Sequence, residues 1–182
     1  MPNYSDQHSE VLKSIDGGES WRQHGHVTTP HGHYEPTIVE LSDGTVLMYL
    51  RTDDGYIWES RSKDKGETWS KASRTKLVAT NSTHMLYGLR NGHIVLAYNP
   101  TPNGVRNPLV VGFSADDCIT WTNPFIIDEH HIPWWQAGRF VTYPSITEDR
   151  HGNLVVTYAD YTWTTSELYG DINIVKLREI KS

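Results

Sequence analysis

Four histidines within ten residues have a spacing that suits metal coordination. His24 and His26 form one His-x-His pair, and His31 and His33 form a second. Alternate residues of a strand point to the same side, so each pair could offer two ring nitrogens to one zinc ion. However, the stretch from Gly25 to Pro30 interrupts regular structure, and no acidic or thiolate ligand follows until Glu35. We therefore favour a loop at the mouth of a pocket, and we expect no metal and no other cofactor.

Two adjacent tryptophans, Trp134 and Trp135, are a second feature with chemical potential. An indole ring can stack on the face of a sugar, and it can equally pack against a neighbouring sheet. The sequence leaves both interpretations open, so we treat the pair as candidate substrate-binding residues.

Composition excludes several classes of protein. The chain of 182 residues has 16 Lys and Arg against 22 Asp and Glu, so it lacks the positive charge that drives nucleic-acid binding. Its lone Cys118 cannot form an internal disulfide. No apolar run approaches the ~20 residues of a membrane span. The polar start lacks the basic and then apolar order of a secretory signal. We expect a soluble protein whose localisation the sequence does not specify.

Two interleaved repeats predict the turns and strands that would position any site. The first is Ser-x-Asp-x-x-x-Ser/Thr-Trp, which occurs around Asp16, Asp64 and Asp116, at spacings of 48 and 52 residues. Glycine holds the fifth position in the first two copies, and Cys118 replaces it in the third. In such a turn the aspartate accepts backbone N–H bonds and glycine allows a positive φ. These three aspartates are therefore predicted to be structural.

The second repeat is a Gly turn followed by an apolar strand. It predicts the strands Val46–Leu50, Ile94–Tyr98 and Leu154–Tyr158, each after an Asp-Gly, Asn-Gly or His-Gly dipeptide. Asp-Gly and Asn-Gly between apolar stretches are strong hairpin signals. Because the two motifs alternate, each unit of about 50 residues is predicted to contain four strands.

Four-stranded units at this spacing are typical of a β-propeller. We predict an all-β fold of about three four-stranded blades in a single partial domain over 1–182. Its parts would be a half blade over 1–28, blades over 33–79 and 83–127, and an incomplete blade over 140–180. This is below the four to eight blades that close a propeller.

The Ser-x-Asp-x-Gly-x-Thr-Trp turns resemble the Asp boxes, or BNR repeats, of sialidases (neuraminidases). That family folds as a six-bladed propeller, so the resemblance implies that this chain corresponds to the C-terminal half of one. Three segments also resemble the family's active-site segments, in the family's order. They begin Glu35-Pro-Thr-Ile-Val, Arg106-Asn-Pro-Leu-Val and Val141-Thr-Tyr143-Pro-Ser.

The resemblance implies roles for four residues. Tyr143 would be the nucleophile and Glu35 its acidic partner, while Arg51 and Arg106 would hold the substrate carboxylate. Sialic acid carries a carboxylate on its anomeric carbon, which guanidinium groups can bind bidentately. A neutral tyrosine approaches this charge more easily than a carboxylate nucleophile, and sialidases are the tyrosine exception among glycosidases. Arg139, close before the tyrosine, is a competing candidate for the carboxylate clamp.

The sequence also departs from the family pattern. Family members carry a first clamp arginine in an Arg-Ile-Pro segment and an aspartate acid/base soon after it, and this chain has no Arg-Ile-Pro. One expectation is therefore a retaining exo-sialidase-like hydrolase acting on sialic acid or another acidic glycan, incomplete without an N-terminal half. That half could come from a second copy or another protein. The alternative is a non-catalytic module that binds carbohydrate or protein.

Overall fold

The computed structural model describes residues 1–5, 7–102, 104–130, 138–163 and 168–177. These residues form fourteen β-strands and no α-helix. The prediction of an all-β fold is confirmed. No helix in the described ranges is long and apolar enough to cross a membrane.

The strands form four antiparallel sheets, each with its strands in chain order. The first sheet contains β1 (Pro2–Tyr4), β2 (Ser9–Lys13) and β3 (Arg22–Val27). The second contains β4 (Tyr34–Glu40), β5 (Val46–Arg51), β6 (Tyr56–Ser62) and β7 (Ser73–Val78). The third contains β8 (Met85–Gly88), β9 (Ile94–Tyr98), β10 (Leu109–Ser114) and β11 (Phe125–Asp128). The fourth contains β12 (Arg139–Glu148), β13 (Leu154–Trp163) and β14 (Leu168–Leu177).

The first strands of the sheets lie side by side. Strand β4 contacts both β1 and β8, and β8 also contacts β12. Residues on these first strands therefore meet across sheet boundaries, which is the arrangement that a propeller uses to build a site around its axis.

The second strands of the second and third sheets are apolar on both faces because each lies between two cores. On β5, Leu47 and Tyr49 face a core shared with the third sheet. Their neighbours Met48 and Leu50 face a different core, shared with the first sheet. A third core fills the space between the third and fourth sheets. Since successive side chains of a strand point to opposite faces, burial on both sides requires a continuous apolar run instead of alternation.

The three predicted structural turns share one hydrogen-bond pattern. The Asp64 carboxylate accepts bonds from the Ser62 hydroxyl at 2.8 Å and from the Thr68 N–H at 2.8 Å. The Ser62 hydroxyl in turn accepts the Gly66 N–H at 2.8 Å. Asp16 and Asp116 accept the corresponding bonds in their own turns.

Cys118 occupies the glycine position of the third turn at φ 65°, a conformation that strains residues with a Cβ. The turn nevertheless keeps its bonds, and the Cys118 N–H reaches the Ser114 hydroxyl at 3.0 Å. Burial raises the pKa of the Cys118 thiol to about 12, so this cysteine stays protonated. Its side chain joins the core between the second and third sheets.

The first sheet contains one strand that the sequence does not signal. Strand β1, Pro2–Tyr4, pairs with β2 along its edge, with Pro2 opposite Val11 and Tyr4 opposite Ser9. The sequence Pro-Asn-Tyr has neither alternation nor a turn signal. The strand forms through backbone bonds to β2 and through contact with β4, and neither of these leaves a pattern in the sequence.

Candidate active site

Glu35 and Arg51 form an ion pair at one end of the second sheet. The register pairs Tyr34 with Arg51 across β4 and β5, and a bulge follows between Tyr34 and Thr37. The bulge leaves Glu35 outside the regular ladder, where its Oε2 accepts a bond from Arg51 Nη1. Both side chains are partly buried, with 12% of Arg51 and 26% of Glu35 exposed. The pair is thus largely shielded from solvent.

A second set of contacts fixes the Arg51 guanidinium. Its Nε donates to Asn81 Oδ1, and its Cζ lies 5.6 Å from the centre of the Tyr34 ring. The Asn81 amide also donates to Asp53, and the Tyr34 hydroxyl donates to Asp53 at 3.1 Å. Among the described residues, the Arg51 bonds therefore use Nε and Nη1. Nη2 takes no part in these two bonds.

Tyr143 has an unusual backbone conformation in the middle of β12. Its φ is 53°, in the left-handed region that residues with a Cβ rarely enter. The β12–β13 register shifts here, between Thr142 and Ser145. This bulge turns the side chain outward, and 42% of Tyr143 is exposed. Such outliers concentrate at functional sites, where the surrounding structure maintains them.

Arg106 lies over the Tyr143 ring. The Cζ of Arg106 is 5.7 Å from the ring centre, and Tyr161 contacts the same ring edge-on at 6.5 Å. The Arg106 backbone is tied to β12, because its carbonyl accepts the Val141 N–H at 2.9 Å. The guanidinium therefore lies within cation–π distance of the ring.

The segment Ser82–Thr83 connects the two pairs. The Thr83 hydroxyl donates to Glu35 Oε2 at 3.1 Å. The hydroxyl of Ser82 bonds with that of Thr142, the residue before Tyr143, at 2.5 Å. Glu35 and the Tyr143 backbone are therefore joined through two successive residues at the start of the third sheet.

The buried Asn99 amide holds the other side of the site. Asn99 follows β9 and is 1% exposed. Its amide nitrogen donates to the carbonyls of Pro108 and Val141, both at 2.8 Å. One side chain thus fixes the spacing between the Arg106 loop and the strand that carries Tyr143.

Comparison with known proteins identifies the family to which the chain belongs. A BNR repeat-like domain model matches residues 3–156 of the chain. The chain belongs to the BNR repeat-like family. Its all-β sheets and its relatives place it in the sialidase and BNR superfamily, as the sequence motifs predict.

Several of the proteins that the chain resembles are sialidases or trans-sialidases. The anhydrosialidase of Macrobdella decora is 27% identical over 93% of this chain and 24% of the relative. The structure of NanB sialidase from Streptococcus pneumoniae matches 96% of this chain and 27% of its own, at 28% identity and a TM-score of 0.72. A leech intramolecular trans-sialidase, complexed with 2,7-anhydro-Neu5Ac, matches 96% of this chain and 28% of its own, at 25% identity and a TM-score of 0.74. The chain spans about a quarter of the length of these relatives.

The other candidate residues of this BNR-family chain are either outside the described part or in the Asp turns. Trp134 and Trp135 fall outside the described residues. Arg139 is the first residue of β12, and its side chain is also outside the described part. The remaining candidates, Asp16, Asp64 and Asp116, are occupied with the internal bonds of their turns.

The His-x-His pairs contact different partners. His24 Nδ1 lies 2.7 Å from a Glu67 carboxylate oxygen, whereas the His26 ring stacks on His8 at 4.0 Å. Within the described ranges, neither pair joins a group of three potential metal ligands.

Sequence reasoning missed the residues that position the site. Asn81, Thr83 and Asn99 support Arg51, Glu35 and the β12 strand, but none belongs to a repeat or a motif. The one available signal, which concerns Asn81 and Thr83 only, is the polar run Thr80-Asn-Ser-Thr-His between β7 and β8, which is longer than a tight turn requires.

Proposed function

We propose that this chain supplies the nucleophile, its base and two clamp arginines of a retaining exo-sialidase-type glycosidase. The substrate class is a glycoside of sialic acid or a similar acidic sugar. The membership of the sialidase and BNR superfamily supports the reaction type, and the relatives' names support the sugar.

The single observation that carries the proposal is the environment of Tyr143. An exposed tyrosine at a positive φ, on a bulge and beneath an arginine, is poorly explained as a packing residue. A core aromatic would be buried in regular strand geometry. The conformation instead presents the phenol oxygen to a ligand.

The proposed reaction uses the two pairs together. Nη2 of Arg51 and the guanidinium of Arg106 bind the sugar carboxylate. The Tyr143 oxygen attacks the anomeric carbon while Glu35 takes its proton, and the bond to the leaving group breaks. Within the described residues Arg51 and Thr83 donate to Oε2 of Glu35, so Oε1 is the oxygen assigned to receive that proton.

Two parts of the family's chemistry are proposed to come from outside this chain. The first is an acid that protonates the leaving group, and the second is another clamp arginine. The chain's share of its relatives' length, about a quarter, is consistent with this division.

The experiment therefore uses a substrate that needs no acid. In α-sialosyl fluoride the leaving group is fluoride, which departs without a proton donor. We expect the purified chain to release fluoride under conditions where it leaves an unactivated alkyl sialoside intact. Tyr143→Phe should abolish release, because the phenol oxygen is the nucleophile. Tyr161→Phe, which removes the hydroxyl of the neighbouring ring, is the matched control and should retain release.

Three outcomes separate the possibilities. Fluoride release that depends on Tyr143 supports the glycosidase. Saturable sialic-acid binding by a folded chain without any release overturns it in favour of a carbohydrate-binding module. Neither binding nor release rejects both. Where release occurs, product analysis distinguishes free sialic acid from 2,7-anhydro-Neu5Ac, the compound bound in the leech relative.

A further inference from the structure

A cluster of three potential metal ligands lies at the boundary between the third and fourth sheets. Asp128 ends β11, His130 follows it by two residues, and Asp160 lies in β13. One ligand atom from each residue lies within 4.8 Å of the others. Nothing in the proposed glycosidase chemistry uses these residues.

The distances within the cluster suit a shared ion better than direct hydrogen bonds. His130 Nε2 lies 3.4 Å from Asp160 Oδ1 and 3.9 Å from Asp128 Oδ1. N–H···O bonds are normally about 2.9–3.0 Å long, so both contacts are beyond that optimum. Two ligands at ~2.1 Å from a tetrahedral zinc ion lie ~3.4 Å apart. The His130 nitrogen is inaccessible to solvent and makes no hydrogen bond with the described residues.

Both carboxylates direct one oxygen to the histidine. Asp128 has its other oxygen held, because Asp128 Oδ2 accepts the Tyr158 hydroxyl at 2.7 Å. The Asn173 amide nitrogen lies 3.4 Å from Asp160 Oδ2, a longer contact. A bond such as that of Tyr158 to Asp128 belongs to the outer layer that orients carboxylate ligands in metal sites. Burial and the bond to Asp128 raise the pKa of Tyr158, so its hydroxyl remains a donor.

The backbone of His130 is fixed by a neighbouring side chain. The Asn107 side chain donates to the His130 carbonyl at 2.7 Å and accepts the His130 N–H at 3.0 Å. These two bonds fix the residue that carries the ring. The site is partly closed, with Asp160 8%, His130 16% and Asp128 21% exposed. An ion could therefore enter from the side of Asp128.

We infer that Asp128, His130 and Asp160 form a divalent transition-metal site, with Zn²⁺ as the favoured ion. An imidazole with two carboxylates suits zinc, whereas Mg²⁺ and Ca²⁺ prefer oxygen ligands alone. Three protein ligands leave one tetrahedral position for water. The ion joins the last strand of the third sheet to the middle strand of the fourth. Asp160 is paired with Val141, so the ion also braces the strand that carries Tyr143.

The probe is Zn²⁺ added to the EDTA-treated full chain, followed by calorimetry and by thermal unfolding. We expect one site that raises the melting temperature. His130→Ala and Asp160→Asn should each weaken binding at that site at least ~100-fold, and Tyr158→Phe ~10-fold, the size of an outer-layer loss. The matched control is His151→Ala, which removes an exposed histidine and should retain full affinity. Ca²⁺ should not compete.

A second measurement covers the case where a variant fails to fold. Co²⁺ bound to the wild-type chain should give visible absorption bands that Zn²⁺ abolishes, and this readout needs no variant. The inference is overturned if the folded wild-type chain shows neither zinc binding nor cobalt bands. It is also overturned if His130→Ala binds as tightly as wild type, since the zinc then occupies another histidine.

Discussion

At the scale of single residues, Tyr143 shows how a strand can present a side chain that its own pattern would bury. The left-handed conformation of such a residue costs roughly 1–3 kcal/mol. The ladder pairs Thr142 with Ala159 before the bulge and Ser145 with Thr157 after it, so the flanking backbone is fixed on both sides. The strand pairing on both sides compensates for this strain, and the phenol of Tyr143 is exposed next to Arg106.

The support of Arg51 by Asn81 leads to a prediction about binding. Asn81→Ala removes the bond to Nε and separates Arg51 from Asp53. Because a hydrogen bond to a charged group contributes about 1.5–3 kcal/mol, we expect the dissociation constant for sialic acid to rise about 10- to 100-fold. Calorimetry would measure this. Fluoride release at saturating sialosyl fluoride should change much less.

The control for that prediction is Asn123→Ala, which truncates an exposed loop asparagine. It should leave the dissociation constant unchanged. Unaltered sialic-acid affinity in folded Asn81→Ala would show that the Arg51 orientation does not depend on Asn81.

The sequence offers candidates for the residues that carry chemistry, but it gives little signal for the residues that hold them in place. Glu35, Arg51, Arg106 and Tyr143 come from segments with a recognisable pattern, and the structure places them as two pairs joined through Ser82–Thr83. The roles themselves stay a prediction. The contacts of Asn81 and Asn99 span 30 and 42 residues and depend on strand register and bulges. No local pattern encodes them.

At the scale of elements, the Asp turns stabilise the fold, and this contribution is lost at acidic pH. The hydroxyl and N–H of Thr68, and then the Ser62 hydroxyl, lower the pKa of Asp64 to about 2 from the ordinary 3.8. A lowered folded-state pKa stabilises the fold above the unfolded value. The contribution of Asp64 is therefore present above about pH 4 and is lost as the pH falls toward 2.

We expect Asp64→Asn to lower the melting temperature at pH 6 and to flatten its fall between pH 4 and pH 2. An amide cannot accept the same charge-assisted bonds, and it does not titrate. Scanning calorimetry at several pH values measures both effects. Asp171→Asn, an exposed aspartate on β14, is the control and should keep the wild-type slope. Parallel slopes for wild type and Asp64→Asn would contradict the assignment.

Prediction at this scale works where a turn has its own chemistry. The Gly turns are such a case: Gly44, Gly92 and Gly152 all have φ between 81° and 87°, and a strand follows each. Strand β1 was not predicted, because its three residues pair through backbone bonds that any sequence could make. Strand β13 continues to Trp163, past the predicted end at Tyr158, because β14 pairs with it to the end.

At the scale of the whole molecule, stability depends on the cores between successive sheets. The second and third sheets each lie between two cores, while the first and fourth each contribute to one. Side chains link the sheets as well, since the Asp117 carboxylate of the third turn accepts the Ser42 N–H at 3.0 Å. The repeat spacing predicts separate sheets, but the sequence alone does not specify how neighbouring sheets interlock.

His84 lies at such a boundary and couples global stability to pH. It precedes β8, is 2% exposed, and meets the Tyr49 ring of the second sheet edge-on at 6.2 Å. Burial lowers its pKa from 6.5 to about 4. The unfolded chain therefore binds this proton more readily than the folded one. The stabilisation is complete above pH 6.5 and is lost as the pH falls toward 4.

We expect the free energy of unfolding to fall by about 2 kcal/mol between pH 7 and pH 4.5 because the unfolded chain protonates His84 more readily than the folded chain does. Denaturant titrations at the two pH values measure the loss, and the window lies above the range in which the Asp turns titrate. His84→Gln, which cannot take up the proton, should reduce the loss by that amount even if it is less stable at pH 7. His151→Gln, an exposed control, should retain the wild-type loss. An equal loss in wild type and His84→Gln would mean that the buried ring is not what couples unfolding to pH.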